Sequence, residues 1–399
     1  MSVTFAQGFS AAGVAAGISA VEGKKDLALV VNNGPLDAAA GVFTSNRFCA
    51  APVQWSRNIV SDGHVKAVIL NSGGANACTG KPGYEQSKAT AEKVAGLIGA
   101  KAEDVAVCST GLIGELLPLD NVLSGADKAF ETLADTAEAG ADASHAIMTT
   151  DTKPKTVELE GSNGFRIGGM VKGSGMIAPQ LATMLCVITT DAVVTAGQLQ
   201  AALNAGVEMS FNRIDVDGCM STNDTVLLLA SGLSGAEIAE GTPDYDTFVA
   251  ALTEVAEHLS RELAGDGEGA TKLLECTVTG APDLATARAV SKSVIHSTLF
   301  KAAMFGADAN WGRVLCAIGY AGADIDINKV DVSFKSAYGQ VDVCVNGAGI
   351  NFSEEEAAKV LHEKEITILV ELNSGDAEAE AFGCDLTYDY VKINGDYRT

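Results

Sequence analysis

The stretch that decides the class of fold is residues 156–190, which read TVELEGSNGFRIGGMVKGSGMIAPQLATMLCVITT. Two segments with alternating apolar and polar residues, Thr156–Glu160 and Phe165–Met170, flank the turn sequence GSNG. This arrangement predicts a β-hairpin. The apolar run Met184–Thr189 then predicts a strand that is buried on both faces. The middle of the chain is therefore expected to be built on a β-sheet.

On both sides of this stretch, apolar runs and amphipathic periodicity predict further strands and helices. The strands are expected at Leu27–Val31, Ala39–Phe43, Val65–Leu70, Val105–Cys108, Val330–Phe334, Gln340–Val345 and Ile366–Leu372. The helices are expected at Glu85–Ile98, Ala196–Met209, Tyr245–Leu263, one long stretch Pro282–Met304, and a helix capped by Ser353. Helices and strands follow each other in mixed order, so the predicted class is α/β or α+β.

The composition is that of a folded protein with a large core. The chain has 399 residues, of which 47% are hydrophobic, and this length predicts two or three domains or one large layered unit. Lys and Arg number 27 against 51 Asp and Glu, which gives a net charge of −24. Such a field repels phosphate backbones and anionic lipids, so we expect no nucleic-acid partner and no membrane association.

The N-terminus and the cysteines indicate the compartment. The sequence begins MSVTF and has no basic segment leading into an apolar one, so no secretory signal is predicted. The nine cysteines are scattered and form no C-x-x-C pair. This usage is typical of reduced thiols in a cytoplasmic protein and argues against a zinc site or a disulfide framework.

Three cofactor motifs fail on inspection. Residues 74–81 resemble a P-loop but lack its first glycine and the hydroxyl that follows its lysine. Residues 265–270, GDGEGA, match a loose dinucleotide fingerprint but follow a predicted helix instead of a strand. Residues 324–335 begin like a calcium loop but have lysines at its glycine and bidentate glutamate positions. We therefore predict no metal and no nicotinamide or other cofactor.

The segment 172–185, KGSGMIAPQLATML, is the most informative part of the sequence. Lys172 is followed by two glycines and a proline turn, and then a lone hydroxyl, Thr183, enters an apolar strand. A turn that leads into a buried strand and tolerates one threonine would explain the pattern equally well. The pattern alone leaves both interpretations open.

The chain resembles the ornithine acetyltransferase family of arginine biosynthesis, the bifunctional glutamate N-acetyltransferase/amino-acid acetyltransferases. The matching strings lie within 8–18, 71–80, 109–114, 147–152, 172–191, 266–272, 310–313 and 393–399. The resemblance therefore extends from end to end. The sequence departs from the family pattern at Gly74 and Ala309.

The resemblance implies a precursor that cleaves itself between Ala182 and Thr183, giving an α chain of residues 1–182 and a β chain of residues 183–399. Thr183 would be the nucleophile, and its freed α-amine, with an ordinary pKa of about 7.7–8.0, could serve as its base. Thr110 and Gly111, at the turn where the predicted Cys108 strand ends, would form the oxyanion hole. The implied fold is a self-cleaving αββα-type sandwich with mixed sheets and a smaller C-terminal α/β lobe.

The resemblance also implies the residues that bind substrate. Lys172 would bind a substrate carboxylate or keep the terminal amine of Thr183 neutral. Glu268, expected on an exposed loop, would bind the ammonium groups of ornithine and glutamate. Thr150, Asn394 and Thr399 map to further substrate contacts. Thr149 and Thr152 remain alternatives to Thr150, since the three hydroxyls are close in sequence.

The activity that follows from the resemblance is transfer of the acetyl group of N²-acetylornithine to L-glutamate through an acetyl-Thr183 intermediate. Two α and two β chains would assemble into a heterotetramer in the cytoplasm. The net charge of −24 leads us to expect acetyl-CoA to be a poorer donor than acetylornithine, although its use remains open. The completeness of cleavage and an altered acceptor preference are also open.

Two alternatives remain, one of them another enzyme and the other from a different functional class. The first is a self-cleaving amidohydrolase or aminopeptidase of similar architecture, in which water replaces glutamate as the acceptor. The second is a catalytically silent binding or scaffold protein, which failure to self-cleave would favour.

Overall fold

The structure is a computed structural model that describes residues 2–178 and 184–396. These residues form sixteen strands and eleven helices. The strands are β1 (Phe9–Val14), β2 (Leu27–Asn32), β3 (Ala38–Phe43), β4 (Ala67–Gly74), β5 (Val105–Leu112), β6 (Lys155–Glu160), β7 (Arg166–Lys172), β8 (Leu185–Thr190), β9 (Ile214–Asp215), β10 (Thr225–Ala230), β11 (Leu273–Ala281), β12 (Asp331–Lys335), β13 (Gln340–Val345), β14 (Ala348–Gly349), β15 (Glu365–Glu371) and β16 (Ala377–Cys384). The helices are α1 (Ala51–Val60), α2 (Gly80–Ile98), α3 (Leu119–Glu131), α4 (Ala137–Ala146), α5 (Ala196–Met209), α6 (Pro243–Gly265), α7 (Leu284–His296), α8 (Thr298–Phe305), α9 (Trp311–Gly319), α10 (Glu354–Leu361) and α11 (Tyr388–Asp396).

The chain divides into two compact units. Among the described residues, the larger unit holds 2–212 and 220–259, and the smaller unit holds 213–219 and 260–396. The smaller unit is the predicted C-terminal α/β lobe. The division does not coincide with the predicted α and β chains, 1–182 and 183–399, because those follow from a cleavage site and not from packing. The two chains stay a prediction.

The larger unit is built on two mixed sheets. One sheet has the order β1-β2-β4-β5 and the other β3-β10-β8-β7-β6. Each contains one parallel pair, β4 with β5 and β8 with β10, among antiparallel neighbours. Helices α1 to α4 contact the first sheet, and α5 contacts β3 of the second. One hydrophobic core joins apolar residues of both sheets, and β2 and β8 are buried along their whole length. Strands covered on both faces are the mark of a layered sandwich.

The smaller unit is built on a single mixed sheet with the order β14-β13-β12-β15-β11-β16-β9. Helix α7 contacts β11 and β16, and α10 contacts β12 and β13. A second hydrophobic core fills this unit and includes the fully buried side chains of Phe300 and Phe334. The predicted class, α/β with mixed sheets and a smaller C-terminal lobe, is therefore confirmed.

Most predicted elements are present, and two predictions need correction. The hairpin is formed by β6 and β7, and Ala196–Met209 is helical as predicted. The stretch Pro282–Met304 is not one helix but two, α7 and α8. Ser297 separates them because its backbone is extended and its side chain accepts a hydrogen bond from the Phe300 N–H, which caps α8. The strand predicted to end at Cys108 also continues to Leu112.

Candidate active site

Thr110 and Gly111 lie near the end of β5, where this strand still pairs with Ser72 and Gly73 of β4. Thr110 is buried, and Gly111 has a φ of +129°. A Cβ atom at Gly111 would stand 2.5 Å from the carbonyl carbon of Gly73, so only glycine fits this close approach of two backbones. The register of the two strands also shifts at Gly73 and Gly74. The strand end is thus irregular, which the sequence pattern alone did not indicate.

Lys172 is the last residue of β7 and is almost completely buried, with 1% of its surface exposed. Its Nζ atom donates a hydrogen bond to Thr149 Oγ1 at 2.8 Å. The same Nζ atom lies 3.4 Å from Thr110 Oγ1, a long hydrogen bond. The structure therefore brings together two predicted site residues, Lys172 and Thr110, and Lys172 is not a solvated hairpin end.

Asp151 supplies a negative charge beside the buried Lys172. Its Oδ2 atom lies 3.8 Å from Lys172 Nζ, and its Oδ1 atom lies 2.6 Å from Lys155 Nζ. It also accepts hydrogen bonds from the Gly173 N–H at 2.7 Å and the Thr149 N–H at 3.0 Å. Thr110, Thr149, Asp151, Lys155 and Lys172 are called the lysine network below.

The charges of the lysine network set the protonation of Asp151. Burial by itself raises the pKa of this carboxyl, but Lys172, Lys155 and the hydrogen bonds outweigh burial and hold the pKa at about 2. Asp151 is therefore ionised at neutral pH. The sequence does not single out Asp151, although it lies in the matched string 147–152, because the site residues predicted from that string are threonines.

The structure distinguishes between the threonines of that string. Thr149 contacts Lys172 directly. Thr150 is half-buried, and the described part of the chain gives it no hydrogen-bond partner through its hydroxyl. Thr149 is therefore one hydroxyl of the lysine network, and a substrate contact of Thr150 or Thr152 stays a prediction.

The predicted nucleophile, Thr183, and the predicted cleavage site between Ala182 and Thr183 lie outside the described residues. The described chain resumes at Met184, which precedes β8. The Met184 N–H donates a hydrogen bond to Asp224 Oδ1 at 3.2 Å. Asp224 is another residue that sequence reasoning missed, since an isolated aspartate next to an apolar strand carries no motif.

Glu268 and Asn394, in the smaller unit, are also brought together. Asn394 Nδ2, on α11, donates a hydrogen bond to Glu268 Oε2 at 2.7 Å. Glu268 and Asn394 are called the carboxylate pair below. Thr399, the remaining predicted contact at the C-terminus, lies outside the described residues.

The expectation that Glu268 lies on an exposed loop is wrong, because only 9% of its surface is exposed. The start of α11 packs against the loop. A Cβ at Gly269 would stand 2.7 Å from the Tyr390 nitrogen, and Thr387 Oγ1 donates a hydrogen bond to the Gly269 carbonyl at 2.7 Å. The carboxylate is therefore held in a covered position, where its affinity for an ammonium group is less weakened by water.

The lysine network has the parts that acyl-transfer chemistry uses. A buried hydroxyl and a strand-end backbone can donate hydrogen bonds to a carbonyl oxygen, and a buried ammonium group favours negative charge nearby. The described residues 2–178 and 184–396 contain no cluster of His, Cys, Asp and Glu that could hold a metal ion. In the same ranges, no helix is long and apolar enough to cross a membrane.

Comparison with known proteins identifies the class. Residues 10–399 match the ArgJ family. The arginine biosynthesis bifunctional protein ArgJ of Bifidobacterium longum is 67% identical over the full length of both chains. The chain is an acetyltransferase. More particularly, it belongs to the ArgJ family, as its sequence resemblance predicted.

Two solved structures are also similar. The arginine biosynthesis bifunctional protein ArgJ of Bacillus halodurans is 44% identical and matches with a TM-score of 0.50, over 52% of this chain and 97% of that one. The ornithine acetyltransferase of Mycobacterium tuberculosis, solved in complex with ornithine, is 50% identical and matches with a TM-score of 0.44, over 46% of this chain and 96% of that one.

Proposed function

We propose that this enzyme cleaves itself between Ala182 and Thr183 and then transfers the acetyl group of N²-acetylornithine to L-glutamate through acetyl-Thr183. The observation that carries the proposal is the lysine network. It lies at the end of β7, directly before the segment that contains Thr183, and it places Lys172 Nζ between the hydroxyls of Thr149 and Thr110.

The proposed reaction has two half-reactions. In the first, Thr183 Oγ attacks the acetyl carbonyl of acetylornithine, the amide C–N bond breaks, and the Thr183 proton passes through its α-amine to the departing ornithine amine. In the second, the glutamate amine attacks the acetyl ester, and Thr183 Oγ regains a proton. N-acetylglutamate is released, and no net charge or electron is left over.

Thr110 and Gly111 are proposed as the oxyanion hole of both half-reactions. The Thr110 hydroxyl and the Gly111 N–H would donate to the oxygen of each tetrahedral intermediate. Lys172, through its long contact with Thr110 Oγ1, would keep that hydroxyl oriented as a donor, because an ammonium group can only donate to the hydroxyl oxygen. A neighbouring cation also favours the neutral form of the Thr183 amine, the form that can act as a base.

The strand order supports a cleaved product in which the two chains stay associated. The five-stranded sheet contains β3, β6 and β7 from residues before position 183 and β8 and β10 from residues after it. Lys172 of β7 pairs with Leu185 of β8 in antiparallel register. Cutting the segment between them leaves these strand pairs intact, so we expect the α and β chains to remain associated.

The length of a related chain is consistent with this division. The Bacillus halodurans chain is covered over 97% of its length but spans only 52% of this chain. Residues 183–399 likewise make up just over half of the sequence.

A heterotetramer of two α and two β chains in the cytoplasm is proposed with the same mechanism.

Substrate binding is proposed for Glu268, Asn394, Thr150, Lys172 and Thr399. The Glu268 carboxylate would bind a substrate ammonium group, and the Asn394 side chain would hold that carboxylate in place. Lys172 would bind a substrate carboxylate.

Because relatives are named bifunctional, we also propose acetyl-CoA as a second donor to glutamate. A donor panel at matched concentrations measures its kcat/KM against that of acetylornithine.

Two measurements test this function. Ping-pong kinetics are expected, and mass spectrometry after incubation with acetylornithine alone should find one acetyl group on the fragment that begins at Thr183. Acetylornithine consumption with and without glutamate distinguishes transfer from hydrolysis. Consumption that is independent of glutamate would establish the amidohydrolase alternative, and intersecting double-reciprocal plots without an adduct would exclude the covalent mechanism.

A further inference from the structure

Asn223 and Asp224, directly before β10, connect the parts of the larger unit that the proposed reaction depends on. Asn223 is buried, and its Nδ2 atom donates to the Ser109 carbonyl at 2.8 Å and to the Ala75 carbonyl at 2.7 Å. Ser109 directly precedes Thr110. Asn223 therefore fixes the backbone of β5 immediately before the proposed oxyanion hole.

Asp224 fixes the backbone on the other side. Its Oδ1 atom accepts a hydrogen bond from the Met184 N–H at 3.2 Å. The Met184 nitrogen is bonded covalently to the carbonyl carbon of Thr183. The Thr225 N–H also donates to the Met184 carbonyl at 3.0 Å, so Met184 is held at both its amide and its carbonyl.

The Asp224 carboxyl lies in the interior of the larger unit. The side chain is fully buried, and its Oδ2 atom has no hydrogen-bond partner within residues 2–178 and 184–396. Burial raises the pKa of this carboxyl well above its ordinary range, and the hydrogen bond from the Met184 N–H opposes that rise only in part.

We propose that Asn223 and Asp224 are positioning residues for self-cleavage and acetyl transfer. Asn223 holds the backbone directly before Thr110, and Asp224 holds the backbone directly after Thr183. The inference rests on the proposed function. Neither residue needs to touch the substrate. Asp224 acts through the hydrogen bond to Met184, and Asn223 acts through the hydrogen bond to Ser109.

A matched control lies at the far end of β8, the strand that follows Met184. Asp191 directly follows β8, is fully buried, and accepts hydrogen bonds from the Arg166 N–H at 2.7 Å and the Gln7 N–H at 3.1 Å. Like Asp224, it is a buried carboxyl that anchors backbone amides beside β8. It differs in that its partners do not adjoin Thr183 or Thr110, so it reports on structural loss alone.

The experiment follows cleavage of the full chain with time for Asp224→Ala, Asp224→Asn and Asp191→Ala. Asp224→Ala should slow cleavage by about 100-fold, the size of effect that a displacement of about 1 Å produces. Asp224→Asn should stay within about 10-fold of the wild type, because its amide oxygen can still accept the Met184 N–H. Asp191→Ala should cleave normally even if its melting temperature falls.

The same variants are then assayed for transfer once cleavage is complete. Asp224→Ala should lower kcat while the KM for acetylornithine stays within about 2-fold, because the residue contacts no substrate. Should Asp224→Ala fail to fold, Asp224→Val, which also lacks an acceptor, replaces it in both assays.

Three results would overturn the inference. These are normal cleavage in Asp224→Ala, equal slowing in Asp224→Asn and Asp224→Ala, or equal slowing in Asp191→Ala. Failure of the proposed function is distinguishable, because in that case the wild-type chain itself would remain uncleaved or would form no acetyl adduct.

Discussion

The lysine network of the larger unit and the carboxylate pair of the smaller unit hold their charges in different ways. Lys172 and Asp151 are buried. The Asp151 carboxylate accepts hydrogen bonds from two backbone N–H groups and from the Lys155 ammonium group. Glu268 is covered by a loop and a helix, and its neighbour Asn394 lies on α11, a helix with no buried residue. The first region is held by several buried hydrogen bonds, whereas the second depends on one short helix.

The contrast indicates a division of labour. Groups that stabilise a transition state must be fixed before the reaction, since any reorganisation adds to the barrier. Groups that bind substrate and transition state alike contribute mainly to KM. We therefore expect substitutions of Asp151 and Thr110 in the lysine network to change stability and kcat, and substitutions in the carboxylate pair to change KM.

The largest effect is expected for Asp151→Ala. The substitution leaves Lys155 and Lys172 as buried charges without their shared counter-charge, which should lower the free energy of unfolding by about 3–5 kcal/mol. Urea unfolding measures the loss. Asp142→Ala is the control, because Asp142 pairs with Lys25 at the surface and its removal should cost about 0–1 kcal/mol. Equal losses would contradict the special role of the buried network.

Thr110→Ala is expected to lower kcat by about 10²–10³ with little change in KM, because an oxyanion donor acts on charge that develops only in the transition state. Steady-state kinetics of acetyl transfer measure the split. Thr110→Ser, which keeps the hydroxyl, is the control and should retain most of kcat. A rise in KM without a fall in kcat would assign Thr110 to substrate binding instead.

The pH dependence of stability should carry the signature of Asp151. Its pKa is held at about 2 in the folded protein, below the ordinary value of 3.8, so its charge stabilises the fold above about pH 4. This stabilisation, about 2 kcal/mol, is lost as the pH falls from about 4 to about 2. Unfolding of the wild type and Asp151→Asn across this range measures the difference. Parallel curves for the two proteins would refute the prediction.

Glu268→Gln should raise the KM for acetylornithine by the equivalent of about 1.5–3 kcal/mol, the net contribution of a hydrogen bond to a charged group. Its kcat should change much less. The result tests the division of labour directly, because a fall in kcat as large as that of Thr110→Ala would erase the difference between the two regions.

The smallest effect is expected for Asn394→Ala. Loss of its hydrogen bond to Glu268 Oε2 leaves the carboxylate less well oriented, which should raise KM by the equivalent of about 0.5–1.5 kcal/mol. Asn394→Asp, which places a second negative charge beside Glu268, is the companion variant. An unchanged KM in Asn394→Ala would show that Glu268 is positioned by its loop alone.

The sequence predicted the elements with strong periodicity and the residues that lie in recognisable strings. The hairpin β6–β7, strand β8 and helix α5 follow from local patterns, because alternation and amphipathic spacing are local properties. The break at Ser297 was missed, since a single serine inside a helical pattern gives a weak signal. The burial of Glu268 was missed because it depends on α11, more than a hundred residues further along the chain.

Asp151 and Asp224 show the same limit within the site. Both are buried carboxyl groups that contact residues further along or back along the chain, Lys172 in the case of Asp151 and Met184 in the case of Asp224. A lone aspartate in a sequence looks like a surface residue. Lys172 and Thr110 could be singled out only because they lie in strings that resemble a known family. The spatial contact between them, across 62 positions of sequence, comes from the packing of the two sheets.

The central claim is that Thr183 becomes the nucleophile by self-cleavage, and intact mass with N-terminal sequencing tests it most directly. Purified wild-type protein and Thr183→Ala are compared before and after incubation with acetylornithine alone. The account predicts two wild-type fragments, the larger reading Thr-Met-Leu-Cys and gaining one acetyl group, and a single unacetylated chain for Thr183→Ala. An intact wild-type chain that still transfers acetyl groups to glutamate would contradict it.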